Sequence, residues 1–168
     1  CSPHSTCAQY GEVDPLSFAA ALAWCDPKAG ERFIDLGSGN GKATLTAAAA
    51  FPFASATGVE IMRPLHEAAW RAHQRSRQGD WLQCTEVDFV CADALKHPWT
   101  SADVVFVSTT CWTDDMCAQL ACDARSLKSG ARLVCTSRPL DCTALRLLRR
   151  ELLPYARGTL TFLAYERV

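Results

Sequence analysis

The chain has 168 residues, 49% of them hydrophobic and 21% charged, with a formal net charge of -1 at pH 7. That length favours one domain with a sizeable core. The near-neutral balance excludes a global electrostatic pull toward nucleic acid or an anionic membrane. No signal-peptide pattern opens the chain, and no apolar run is long enough to span a bilayer. It begins at Cys1, so further segments that carry targeting or docking are expected beside it.

The predicted elements follow in chain order. Residues 13–25 (VDPLSFAAALAWC) have apolar residues at helical spacing and form a leading helix. RFIDL at 32–36 is a short apolar run ending in glycines, which predicts a buried strand. GKATLTAAAAF at 41–51 is a helix stopped by Pro52. SATGVEI at 55–61 is the next strand. A helix follows over 64–77, with Pro64 in its first turn, where a missing N–H costs little. EVDFVC at 86–91 and DVVFV at 103–107 are two further strands. A helix over 114–128 ends at Ser129–Gly130, and ARLVCT at 131–136 is a strand. Residues 143–152 read as a basic amphipathic helix, and GTLTFLAYE at 158–166 as a final strand. Strands that alternate with helices predict a doubly wound, mainly parallel α/β sheet. In such sheets ligands bind beyond the carboxyl ends of the strands, at the topological switch point. Asp35–Gly41, Glu60, Asp93 and Ser108–Trp112 would then surround one crevice.

The ten cysteines contain no Cys-x-x-Cys pair and no Cys/His cluster at zinc spacing. Reduced structural thiols are expected, and no metal. Cys91 and Cys135 fall in predicted buried strands, where a thiol behaves as a small hydrophobe.

FIDLGSGNGK at 33–42 carries the strongest chemical signal. Gly37, Gly39 and Gly41 let the backbone take positive φ and approach a ligand closely. Dinucleotide sites favour G-x-G-x-x-G, which guides a pyrophosphate to a helix N-terminus. Here Lys42 follows Gly41, and Asp35 precedes the glycines, where it would repel a pyrophosphate and suit an ammonium. Glu60 ends the second strand about 20 residues beyond the loop, where an acidic side chain takes ribose hydroxyls. Asp93 either accepts from an adenine amine or caps a turn. Lys42 either pairs a carboxylate or stands in solvent.

The pattern D-x-G-x-G-x-G resembles motif I of the class I S-adenosylmethionine methyltransferases. YGEV (10–13), FIDLGSGNGKATLTAA (33–48), GVEIMRPLHEAA (58–69) and ADVVFVSTTCW (102–112) together resemble the disruptor-of-telomeric-silencing (DOT-type) histone-lysine methyltransferases. LKSGARLVCTSRPL at 127–140 follows as that family's fifth strand and the loop after it. The resemblance covers nearly the whole chain. It implies one domain over 1–168, with a lid loop and leading helix over 1–30 and an α/β core over 31–168. It also implies a seven-stranded, mainly parallel Rossmann-like sheet with helices on both faces.

The implied cofactor is S-adenosylmethionine, converted to S-adenosylhomocysteine. Its binding residues would be Val13, Asp35, Gly37, Ser38, Gly39, Gly41, Lys42, Glu60, Asp93 and Ala94. The YGE loop of Tyr10, Gly11 and Glu12 would fold over it. Tyr10, Glu12, Ser108, Thr109 and Trp112 would line the reacting end, with core packing as the other reading of Trp112. The family's two asparagines after the fourth strand are replaced by Ser108 and Thr109, and its aromatic residue after the adenine-reading Asp by Ala94. The implied partner is a substrate lysine on a protein, a histone in the nucleosome first among them; the implied place is intracellular, the nucleus with a histone acceptor and the cytoplasm otherwise. A non-histone protein, a small molecule, or cofactor binding without catalysis stay open. The fragment shows no strong nucleic-acid patch and no membrane segment.

Overall fold

The structure, a computed structural model, describes residues 13–77, 79, 81–155 and 158–168. Among the described residues four helices and seven strands follow in chain order: α1 (Pro15–Ala23), β1 (Arg32–Leu36), α2 (Lys42–Ala50), β2 (Ser55–Glu60), α3 (Arg63–Ser76), β3 (Glu86–Cys91), β4 (Val104–Val107), α4 (Asp114–Asp123), β5 (Arg132–Thr136), β6 (Leu145–Tyr155) and β7 (Gly158–Arg167). The strands form one sheet in the order β3-β2-β1-β4-β5-β7-β6. β1 to β5 run parallel, and β7 is antiparallel to both β5 and β6. The strand order reverses between β1 and β4, and a crevice opens there beyond their carboxyl ends.

Local chemistry explains the elements that flank this crevice. Asp14 caps α1 by accepting from the Ser17 amide at 2.8 Å, and Pro15 opens the helix. β1 and β4 lie inside a parallel sheet, so their residues are apolar on both faces rather than alternating. Phe18, Phe33, Phe53, Phe106 and Phe162 fill the side beneath α1 and α2. Phe18 meets Phe106 edge to face, with ring centroids 4.8 Å apart. Ile34, Val105, Leu133 and Leu163 face the other way, toward Leu120 of α4 and Trp99. Successive side chains of each strand therefore anchor opposite layers.

One expected element is corrected. Residues 143–152 are not a helix; Leu145–Tyr155 is the edge strand β6, paired with β7. A bulge between Leu147 and Arg149 adds a residue and breaks the period of two, leaving a run that mimics helical spacing. Leu and Arg are also good helix formers, and tertiary pairing overrides that weak preference. The six strands legible in the pattern thus become the seven that the family resemblance implies.

The expected helix over 114–128 ends earlier, at Asp123, and continues as a 3₁₀ turn over Ala124–Ser126. The eight described cysteines form no disulfide; Cys135 is buried as expected, but Cys91 is exposed. Among the described residues no helix is long and apolar enough to cross a membrane, and no group of His, Cys, Asp and Glu could hold a metal ion.

Candidate cofactor and acceptor site

The glycine loop is a backbone cradle set by backbone geometry and a buried carboxylate. Gly37, Gly39 and Gly41 take φ of +83°, +55° and +83°. The Gly37 and Ser38 amides donate to Val59 O at 2.8 and 2.9 Å, which ties the loop to the end of β2. The Gly39 amide donates to Glu60 Oε2 at 2.9 Å. Gly41 caps α2 in the left-handed conformation. A Cβ there would lie 2.7 Å from the Phe89 ring and 2.9 Å from Ala69, so close packing as well as φ demands glycine.

Two carboxylates back the cradle. Asp35 is 1% exposed, and its Oδ2 accepts from the Thr44 hydroxyl at 2.8 Å. Burial pushes its pKa up to about 7; the Thr44 bond opposes that shift and the nearby Glu60 charge adds to it. Glu60 is also buried, and its second oxygen accepts from the Met62 amide at 2.8 Å. Glu60 therefore clamps both the glycine loop and the chain leaving β2. Each of its oxygens retains a further acceptor site for a ligand hydroxyl.

Val13, Asp35, Gly37, Ser38, Gly39, Lys42 and Ser108 line one cleft, together with Asn40, Ala43 and Phe106. Ser38 Oγ is buried without a partner among the described residues, a donor left over at the loop. Asp35, a buried carboxylate in the lining, makes this cleft hostile to a pyrophosphate, and Glu60 backs the loop. They fit a ligand that carries an ammonium and a ribose, and the cradle fits one that lies against backbone. The residues present therefore suit S-adenosylmethionine.

Asp93 and Ala94, like Gly41 and Glu60, are not among the residues that line that cleft. Asp93 Oδ1 accepts from the Leu95 amide at 3.0 Å, its Oδ2 pairs with Lys96 at 3.5 Å, and its carbonyl accepts from the Lys96 and His97 amides. The side chain thus caps its own turn. Ala94 packs against the core on the α4 side. Ile61 and Met62 stand exposed just past Glu60, apolar surface available to a flat ring.

The opposite wall is a short 3₁₀ turn, Thr109–Cys111, beyond β4. Ser108 Oγ lies 3.2 Å from Thr136 Oγ1 at the end of β5. Thr110 Oγ1 lies 3.4 Å from Thr136 Oγ1 and 3.0 Å from Ser137 Oγ. Thr109 does not line the channel: it is fully buried and its hydroxyl donates to the Thr136 carbonyl. Trp112 packs partly on the core, and its Nε1 stands 4.0 Å from where a Cβ on Gly37 would be. Trp112 thus reaches from the core toward the glycine loop. Tyr10, Gly11 and Glu12, expected as a lid, lie outside the described residues.

Thr44, Thr136 and Ser137 were not singled out by sequence reasoning. The signal for Thr44 was a hydroxyl in the first turn of the helix after the glycines. For the other pair it was two hydroxyls at the carboxyl end of the fifth strand.

This sheet order, with a glycine cradle beyond β1 and an acidic residue ending β2, defines the fold of the S-adenosylmethionine-dependent methyltransferases. The profile of the family described as "Histone methylation protein DOT1" matches residues 4–151, and the chain belongs to that family.

Solved structures share the fold. TrmN from Thermus thermophilus has a TM-score of 0.77 and 17% identity, over 96% of this chain and 51% of that one. The chain thus spans about half of TrmN. An RNA methyltransferase from Salinibacter ruber in complex with S-adenosylhomocysteine has a TM-score of 0.72 and 17% identity, over 93% of each chain. Magnesium protoporphyrin IX methyltransferase (ChlM) from Synechocystis PCC 6803 with bound S-adenosylmethionine has a TM-score of 0.69 and 14% identity, over 92% of this chain and 79% of that one. At these identities the likeness is one of fold. No curated protein sequence matches the chain at a significant level.

Proposed function

We propose that the domain binds S-adenosylmethionine in this cleft and transfers its methyl group to a lysine amine of a protein, with a nucleosomal histone as the first acceptor. The observation that carries the reading is the pair of buried carboxylates, Asp35 and Glu60, behind a positive-φ glycine loop in a chain of the DOT1 family. The cofactor supplies an electrophilic methyl on a sulfonium, so the protein's task is placement rather than acid–base work. Asp35 pairs the ammonium, and Glu60 takes the ribose hydroxyls. Lys42 lies at the carboxylate end, and the Ser38 hydroxyl adds a donor. Ser108 and Trp112 flank the reacting end. An apolar wall such as Trp112 lowers the pKa of an incoming lysine, which favours the neutral nucleophile.

A second reading keeps the cofactor and changes the acceptor to a non-histone protein or a small molecule. Hydroxyls where the family carries asparagines favour it. The test is incubation with methyl-tritiated cofactor, recombinant nucleosomes and, separately, a cell lysate. Label in a histone supports the first reading; label only in other species supports the second. No label from a domain that binds the cofactor would overturn both.

A further inference from the structure

The hydroxyls beyond β4 and β5 form an unbroken row. Ser108 Oγ, Thr136 Oγ1, Thr110 Oγ1 and Ser137 Oγ follow one another at 3.2, 3.4 and 3.0 Å. Ser108, at one end, lines the cleft beside Asp35 and Gly37. Thr136, in the middle, is fully buried. Each hydroxyl has one hydrogen to give and two sites at which to accept. Three contacts among four hydroxyls leave one hydrogen over, so the row can point it to either end. When Ser108 donates inward to Thr136, its lone pairs face the cleft and accept from an N–H.

The turn is built to hold this row. Thr109 donates to the Thr136 carbonyl, which fastens the 3₁₀ turn to β5. Ser137 takes φ of +66°, uncommon for a residue with a side chain, while its amide donates to Thr161 O at 2.8 Å.

We propose that Thr136 is a positioning residue: it orients the Ser108 hydroxyl as the hydrogen-bond acceptor for the amine that receives the methyl group. This rests on the cofactor reading above. A carboxamide offers a fixed donor and a fixed acceptor, whereas this row adjusts its polarity to the ligand.

Sinefungin tests the inference without a known acceptor, because it carries an amine-bearing carbon where S-adenosylmethionine has its methylated sulfur. Calorimetric titration of the whole domain should show sinefungin binding about tenfold tighter than S-adenosylhomocysteine, the gain expected of a hydrogen bond from a charged group. T136V should bring that ratio close to one with little change in S-adenosylhomocysteine affinity, and T136S should restore it. S108A, at the open end of the row, should lower the ratio likewise and serves if T136V does not fold. An unchanged ratio in T136V or S108A would overturn the inference, as would equal loss of both ligands that T136S fails to restore. Wild-type protein that binds S-adenosylhomocysteine with no preference for sinefungin would overturn it alone. Protein that binds neither would overturn the cofactor reading as well.

Discussion

The two walls of the cleft are built by different means. The glycine loop is held by backbone: positive-φ glycines, amides that donate to Val59 and Glu60, and a helix start packed against Phe89. The turn beyond β4 is held by side-chain hydroxyls bonded to Thr136 and Ser137. A backbone cradle leaves few acceptable sequences, because a Cβ or a wrong φ is a direct clash. Hydroxyl rotors tolerate exchange and reorient at small cost. The rigid wall suits the invariant part of the reaction, the cofactor, and the adjustable wall suits the acceptor.

Substitutions in the rigid wall should have the largest effects. Gly41→Ala combines left-handed strain with a 2.7 Å clash on Phe89 and should cost about 3 kcal/mol in denaturant unfolding. Gly130→Ala, at φ +80° with open space around it, should cost about 1 kcal/mol. Equal costs at the two sites would mean that the loop is not tightly packed. Asp35→Asn should weaken S-adenosylhomocysteine binding by about 2 kcal/mol, the loss expected if Asp35 is the ammonium's charged partner as proposed above. An unchanged dissociation constant would remove Asp35 from the cofactor site.

The adjustable wall should respond less. Thr109→Val loses one hydroxyl bond to the Thr136 carbonyl and should cost about 1 kcal/mol in the same unfolding measurement. A loss as large as that of Gly41→Ala would erase the contrast between the walls.

A pH dependence of the ligand-free protein is also expected. Burial raises the folded pKa of Asp35 from 3.8 to about 7, so the folded state holds this proton more tightly than the unfolded one. Its stabilising contribution is present below the unfolded pKa and is lost as pH rises through about 7. Asp35→Asn should flatten that slope and raise the melting temperature at pH 8, while it weakens binding. A slope that persists in the variant would assign it to another group.

The same contrast decides what could be read in advance. β1 and β3 stand at their expected bounds: β1 is a short run that ends at the glycines, and β3 alternates polar and apolar residues at strand spacing. The glycine cradle and its two carboxylates were legible because backbone geometry restricts residue type. β6 was not, because a bulge scrambled its alternation and pairing with β7 decided its state. Asp93 read equally as an adenine partner and as a turn cap, and its bonds to Leu95 and Lys96 hold its own turn. Thr136 and Ser137 stayed hidden because a hydroxyl has no spacing rule. Only the packing of β5 beside β4 brings them to Ser108.

The most direct measurement of the central claim is calorimetric titration of the wild-type domain at pH 8, where Asp35 is ionised, with S-adenosylhomocysteine and, separately, with a nicotinamide dinucleotide. The buried Asp35 beside the glycine loop predicts one-site binding of the first and none of the second. Binding of the dinucleotide with no response to S-adenosylhomocysteine would contradict the account.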